Sequence, residues 1–229
     1  MSKVTFPILK VNDRIVFNAD GTYVLLDTGF PLSCAVDGKI GPFSVRFMPE
    51  EVFDSDIKLT TPDGAKVKAI LSPNYCYNCH LTQNGLTITD EEEEIPPHDY
   101  FLPFVERGYP IVEGTVNGTE CRLFFDSGAR MTMFGEEGLA GGKPSTGSYT
   151  EWMAMIGQNQ ILPVYDMALD FPCGLHYEGK GALVTNEDYQ MNGQKMGFRA
   201  MLGIDLFNKY DLYFSMANSR RGLALAKRN

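Results

Sequence analysis

The sequence predicts an all-β chain built as two pseudo-symmetric halves. Three observations carry this reading. A hairpin pattern ending in Asp-Thr/Ser-Gly occurs twice, short β-type runs alternate with Gly, Pro, Asn and Asp, and charged periodic helix is scarce. The 229 residues are 44% hydrophobic and 21% charged, which is enough apolar material for a packed core.

The first copy runs from Phe6-Pro-Ile-Leu-Lys-Val11 through a turn at Asn18-Ala-Asp-Gly21. It continues along Thr22-Tyr-Val-Leu-Leu26 into Asp27-Thr28-Gly29. The second runs from Tyr109-Pro-Ile-Val-Glu-Gly-Thr-Val116 through Asn117-Gly118, then along Cys121-Arg-Leu-Phe-Phe125 into Asp126-Ser127-Gly128. β-Branched and aromatic runs flanking Asp-Gly or Asn-Gly read as hairpins, with Phe6–Val11 expected to pair with the strand that ends at Asp27. The aspartates stand 126 − 27 = 99 residues apart.

Between the copies, Asp90-Glu-Glu-Glu-Glu94 is followed by Ile-Pro-Pro97. Like charges repel and paired prolines resist helix and strand, so this stretch reads as a linker. It separates a shortened N-terminal lobe, 1–97, from a C-terminal lobe, 98–229.

Signals thin out after the first copy. A hairpin over 57–70 around Pro62-Asp63-Gly64 is a candidate flap, and Ala69-Ile70-Leu71 is followed by Ser72 where a glycine is sought. The second half is richer. Residues 149–156 and 161–170 flank Gly157-Gln-Asn-Gln160 as a hairpin, Met201-Leu202-Gly203 is a hydrophobic-hydrophobic-Gly element, and 210–216 and 222–226 are closing strands. Short helices are expected over 136–140 and 205–210.

These residues resemble the pepsin and retropepsin families of aspartic peptidases. The likeness rests on the paired Asp-Thr/Ser-Gly triplets, on Met201-Leu202-Gly203 and on the closing strands, while the hairpin around Gly157 is similar to a retropepsin flap. It covers 109–225 in the second half and 6–33 in the first. It implies a bilobal, acid-protease-like β-barrel fold with a central cleft. Asp27 and Asp126 would face each other there as the catalytic pair, supported by Thr28, Gly29, Ser127 and Gly128, with the two hydroxyls bridging the loops. Trp152, Met155, Ile156 and Gly157 would serve the flap and the substrate. Phe30 departs from the pattern, because pepsin-like enzymes carry a small residue at its position; Ala129, in the second copy, is retropepsin-like.

Amide hydrolysis needs a nucleophilic water and a proton donor at the scissile bond. Two carboxyl groups held close cannot both ionise, so they share a proton and divide the acid and base roles, as aspartic proteases do generally. The resemblance thus implies an endopeptidase acting on peptide or protein substrates, with no metal and no organic cofactor. A catalytically silent peptide-binding or scaffold protein on the same fold is the alternative. Because one chain carries both aspartates, a monomer is expected to suffice; a homodimer pairing two copies of Asp126 is the rival assembly.

Other features narrow the field. A net charge of −9 and a pI near 4.8 argue against nucleic acid, whose phosphates need a basic footprint. The N-terminus has no apolar leader region and no stretch approaches a membrane span, so a cytoplasmic protein is expected. Five cysteines at irregular spacing fit reduced thiols. Cys76-Tyr-Asn-Cys79-His80 matches the C-x-x-C-H pattern of haem attachment and supports a third reading, a thiol redox or haem protein. A zinc site would have His98 and His176 as its other histidines, too few for a convincing ligand set. No histidine is placed to activate a serine or cysteine nucleophile.

Overall fold

The computed structural model describes residues 3–73, 77–106, 109–141, 144–145, 147–153 and 158–228, with the side chains of 56, 137, 151–153 and 158 excepted. The chain opens with β1 (Val4–Phe6), β2 (Ile8–Val11), β3 (Arg14–Ala19) and β4 (Thr22–Leu26). Asn12 and Asp13 both take positive φ, 49° and 61°, and Asp20 and Gly21 do the same at 51° and 93°. Each pair therefore makes a two-residue hairpin turn of the kind that matches strand twist. The strand paired with β4 is thus Arg14–Ala19. Phe6–Val11, expected as that partner, instead splits into β1 and β2, because the Asn-Asp turn inserts an extra hairpin.

Next come β5 (Cys34–Ala35), the small hairpin of β6 (Lys39–Ile40) and β7 (Phe43–Ser44), and β8 (Arg46–Phe47). The helical turns α1 (Glu50–Val52) and Phe53–Ile57 lead to β9 (Val67–Leu71), then β10 (Asn78–Thr82) and β11 (Gly85–Thr89). The second half supplies β12 (Tyr100–Pro103), β13 (Ile111–Val116), β14 (Thr119–Phe125) and β15 (Thr132–Phe134). It continues with β16 (Ser148–Met153), β17 (Gln158–Asp170), β18 (His176–Leu183) and α2 (Glu187–Met196). It ends with β19 (Ala200–Leu202), β20 (Tyr210–Ser215) and β21 (Gly222–Lys227).

Among the described residues these strands form three large sheets. The first lobe has the open order β2-β3-β4-β9-β5-β8. The second has the order β13-β14-β19-β15-β18-β17-β16, and a further pairing of β13 with β17 closes it into a barrel. Beneath both lies β1-β11-β10-β20-β21-β12, which draws strands from either side of residue 97. Apolar side chains join the layers. Phe6 meets Phe17 at 5.1 Å between ring centroids, and Phe125 meets Phe214 at 5.2 Å, within one continuous buried cluster.

The acidic stretch expected as a linker is fastened to this shared sheet. Glu92 accepts from the amide and hydroxyl of Ser219, Glu93 pairs with Lys3 and accepts from the Tyr213 hydroxyl, and Asn78 donates to the Glu91 carbonyl. Partners in β10 and β20, between β20 and β21 and just before β1 offset the repulsion that the sequence alone suggested.

Helix α2 was not expected. Its residues are polar apart from Tyr189 and the methionines, so no apolar stripe announces it. Its ends are well formed: Asn186 accepts from the amides of Asp188 and Tyr189, and Gly197 closes it at φ 80°. Of the expected helices, Glu137–Leu139 and Ile204–Asn208 form as 3₁₀ turns. Among the described residues, no helix is long and apolar enough to cross a membrane.

Candidate active site

Asp27 and Asp126 leave equivalent strand ends. Each follows a strand whose last residues are apolar and buried, Val24-Leu25-Leu26 in β4 and Leu123-Phe124-Phe125 in β14. A parallel neighbour holds each one in place: β9 runs beside β4 and β19 beside β14. The Asp27 amide donates to the Leu71 carbonyl at 2.9 Å, and the Asp126 amide to the Leu202 carbonyl at 2.9 Å. Val67–Leu71 is therefore the first lobe's counterpart of Ala200–Leu202, with Ser72 standing where the second lobe has Gly203.

Ser72 reproduces what Gly203 allows by a different route. In the second lobe the Gly203 amide donates to the Thr132 hydroxyl and the Ile204 amide to the Ala129 carbonyl. In the first lobe the Ser72 amide donates to the Ser33 hydroxyl, but Pro73 has no N–H for the Phe30 carbonyl. The Ser72 hydroxyl supplies that bond at 2.6 Å.

The two loops then cross. The Thr28 amide donates to Ser127 Oγ and the Ser127 amide to Thr28 Oγ1, both at 2.9 Å. The Thr28 hydroxyl goes on to the Phe125 carbonyl at 2.7 Å, and the Ser127 hydroxyl to the Leu26 carbonyl at 3.1 Å. Both side chains are fully buried, so these bonds are shielded from competing water. A Cβ added to Gly29 or Gly128 would collide with the carboxyl of the opposite aspartate. These glycines let the loops approach closely enough for the carboxyls to meet.

The Asp27 and Asp126 carboxyls are brought close enough for one, once protonated, to donate to the other. Asp27 Oδ1 also accepts from the amides of Gly29 and Phe30 at 2.9 and 3.0 Å, and Asp126 Oδ1 from that of Gly128 at 2.8 Å. Burial raises the pKa of both groups. For Asp27 the Asp126 charge adds to the rise and carries it well above the ordinary carboxylate range. One proton shared by the pair is the state these effects favour.

Phe30 turns away from the pair. It packs with Leu32, Met48 and Ile57 against the buried cluster of Val16, Leu25, Phe53 and Ile70. The equivalent cluster of the second lobe is covered by Leu162 of β17, with Ala129 at the matching position. Among its described residues the first lobe has no strands corresponding to β16 and β17, and the Phe30 ring supplies part of that cover.

Strands β16 and β17 form the hairpin expected over 149–170, with Tyr149 opposite Leu162. Trp152 lies in β16 opposite Asn159, whereas Met155, Ile156 and Gly157 lie outside the described residues. Arg130, next to Ala129, donates to the Thr150 carbonyl and stacks on Tyr149 at 4.5 Å, fastening the hairpin base to the dyad loop. Around Pro62-Asp63-Gly64, within the candidate flap of 57–70, a short hairpin forms: the Thr61 amide donates to the Ala65 carbonyl and the Val67 amide to the Leu59 carbonyl. Thr60 pairs with Lys66 in this hairpin, which lies between the first lobe's helical turns and β9, whereas the second lobe's hairpin sits between β15 and β18.

Two further groups escaped the sequence reading. Arg14 donates from Nε to the Gly128 carbonyl at 2.9 Å, and Ser72 takes the role just described. The Asn12-Asp13 turn was the available signal for Arg14, since it makes Arg14 the first residue of the strand beside β4.

The Cys76-Tyr-Asn-Cys79-His80 reading fails on geometry. Cys76 lies outside the described residues, and Cys79 and His80 are neighbours in β10, so their side chains leave opposite faces of the sheet. Cys79 is fully buried, and burial pushes its thiol far above the ordinary range, while the His80 ring packs edge-on to Tyr213 at 5.8 Å. Cys34, Cys79, Cys121 and Cys173 are free thiols.

No family model and no curated protein matches this chain. Among solved structures it is similar to the aspartic proteinase from Irpex lacteus, with a TM-score of 0.54 over 98% of each chain and 10% sequence identity. The fold is that of an aspartic proteinase. At this identity the likeness lies in the course of the backbone, and the chemistry has to be argued from the side chains.

Proposed function

We propose that this protein is an aspartic endopeptidase, in which Asp27 and Asp126 activate a water for attack on a peptide bond. The observation that carries the reading is the close approach of two half-buried carboxyls on matching, cross-braced loops. One carboxylate takes the proton of the attacking water while the protonated partner donates to the carbonyl oxygen; as the C–N bond of the resulting gem-diol breaks, the first gives its proton to the leaving amine and a gem-diol hydroxyl returns the other. The rigid mount matters because small misplacement of reacting groups is costly. A peptide or protein substrate fits an interlobe cleft, and a single chain supplies the whole pair.

Asp27→Asn and Asp126→Asn test this. The swap is nearly isosteric, but an amide cannot exchange the proton, so each variant should lose peptide cleavage by at least about 10³-fold. Circular dichroism and urea unfolding should stay close to wild type. Wild-type protein that cleaves nothing in a diverse peptide library from acidic to neutral pH would point to a silent peptide-binding cleft on the same fold.

A further inference from the structure

The two loops that carry the dyad are cross-braced alike, and a charge breaks that likeness. Val16 pairs with Leu25 and Ile111 with Phe124, so Arg14 and Tyr109 hold equivalent positions, as Asp27 and Asp126 do. The first lobe places a guanidinium there and the second a phenol. Arg14 reaches across to the other lobe and donates from Nε to the Gly128 carbonyl at 2.9 Å. The amide on the far side of that same peptide unit, Ala129 N–H, donates to the Asp126 backbone carbonyl at 3.2 Å and lies close enough to the Asp126 carboxylate to favour its charged form.

We infer that Arg14 is a positioning residue that leaves Asp126 as the ionised member of the pair and puts the shared proton on Asp27. A cation pulling on the Gly128 carbonyl polarises the peptide, and its N–H becomes a stronger donor to Asp126. The charge itself also favours a carboxylate on that side, and an arginine keeps it at every working pH. Asp27 has the matching amide bond from Phe30 without such a cation behind it in the equivalent position.

The other titratable groups facing the pair do not compete. Cys34 of β5 lies near Asp27, and burial pushes its thiol up to about 11. Tyr189 of α2 lies near Asp126 and is held protonated by burial. Both stay neutral across the range in which the pair titrates. The catalytic consequence, Asp126 as base and Asp27 as acid, rests on the peptidase reading; the position of the proton does not.

The test is a carboxyl ¹³C NMR titration of the full chain labelled at aspartate, with Asp27→Asn and Asp126→Asn to assign the two resonances. In wild type, Asp27 should keep a protonated shift to higher pH than Asp126, and Arg14→Lys should preserve that order. Arg14→Gln should draw the two titrations together, and adding Tyr109→Arg to it should reverse their order. Tyr109 is 46% exposed, so the single variant Tyr109→Arg should fold even if Arg14→Gln does not, and it too should draw the titrations together. Where cleavage is measured, both limbs of the pH–rate profile should move to higher pH in Arg14→Gln, because both deprotonations lose a favourable charge. Wild type with its proton on Asp126, or an order indifferent to Arg14 and Tyr109, overturns the inference. A wild type that cleaves nothing overturns the peptidase reading instead, and the resonances still report on Arg14.

Discussion

Ser72 and Gly203 occupy matching places beside the two aspartates, yet they are not exchangeable. A Cβ on Gly203 would stand 2.6 Å from the Met131 carbonyl oxygen, so Gly203→Ala should destabilise the protein by about 2–4 kcal/mol in urea unfolding. Ser72→Ala should cost about 1–3 kcal/mol for a different reason, since Pro73 cannot replace the bond that the hydroxyl gives to the Phe30 carbonyl. Asp205 makes a separate prediction. It accepts from the Tyr177 hydroxyl at 2.6 Å, and burial pushes its pKa up to about 6. An unfolded aspartate titrates near ~3.9, so the stability from this group is full below that pH and is lost as pH rises through about 6. Asp205→Asn should therefore remove about 3 kcal/mol from the stability difference between pH 3.5 and pH 7, measured by urea unfolding at both.

At the scale of elements the two lobes solve one problem differently. The second lobe closes its barrel by pairing β13 with β17 and covers the cluster beneath the dyad loop with that long strand. The first stays open between β2 and β8 and uses Phe30, Leu32, Met48 and Ile57 as cover. This contrast explains which parts of the architecture were readable in the sequence. Where backbone chemistry demands a residue type, as in Asp27-Thr28-Gly29, Asp126-Ser127-Gly128, the Asn117-Gly118 turn and Met201-Leu202-Gly203, the pattern announced the element. Where a side chain substitutes for a backbone group, as Ser72 does, or where packing takes over, as with Phe30, residue type no longer reveals the position. The partner of β4 was misread because Phe6-Pro-Ile looks like Tyr109-Pro-Ile, although the Asn12-Asp13 turn puts Arg14–Ala19 there. Helix α2 was hidden because its caps, not an apolar stripe, define it.

The whole molecule is held by the sheet under both lobes, and Asn78 is its fastening point. Its side-chain oxygen accepts from the amides of Met216 and Ala217, both at 2.9 Å. Its amide donates to the Glu91 carbonyl and to Asn218 Oδ1. Asn78→Ala strands buried polar groups of both halves at once and should cost about 3–5 kcal/mol, read as a lower midpoint in urea. The same sheet sets the order of events at birth. Cys79 of β10 is hydrogen-bonded in register with Phe214 of β20, 214 − 79 = 135 residues later in the chain. A ribosome adding ~5–20 residues per second needs on the order of ten seconds to supply that partner. Until then one edge of β10 is an open template, and the nascent first lobe is the stretch that a chaperone has most reason to shield.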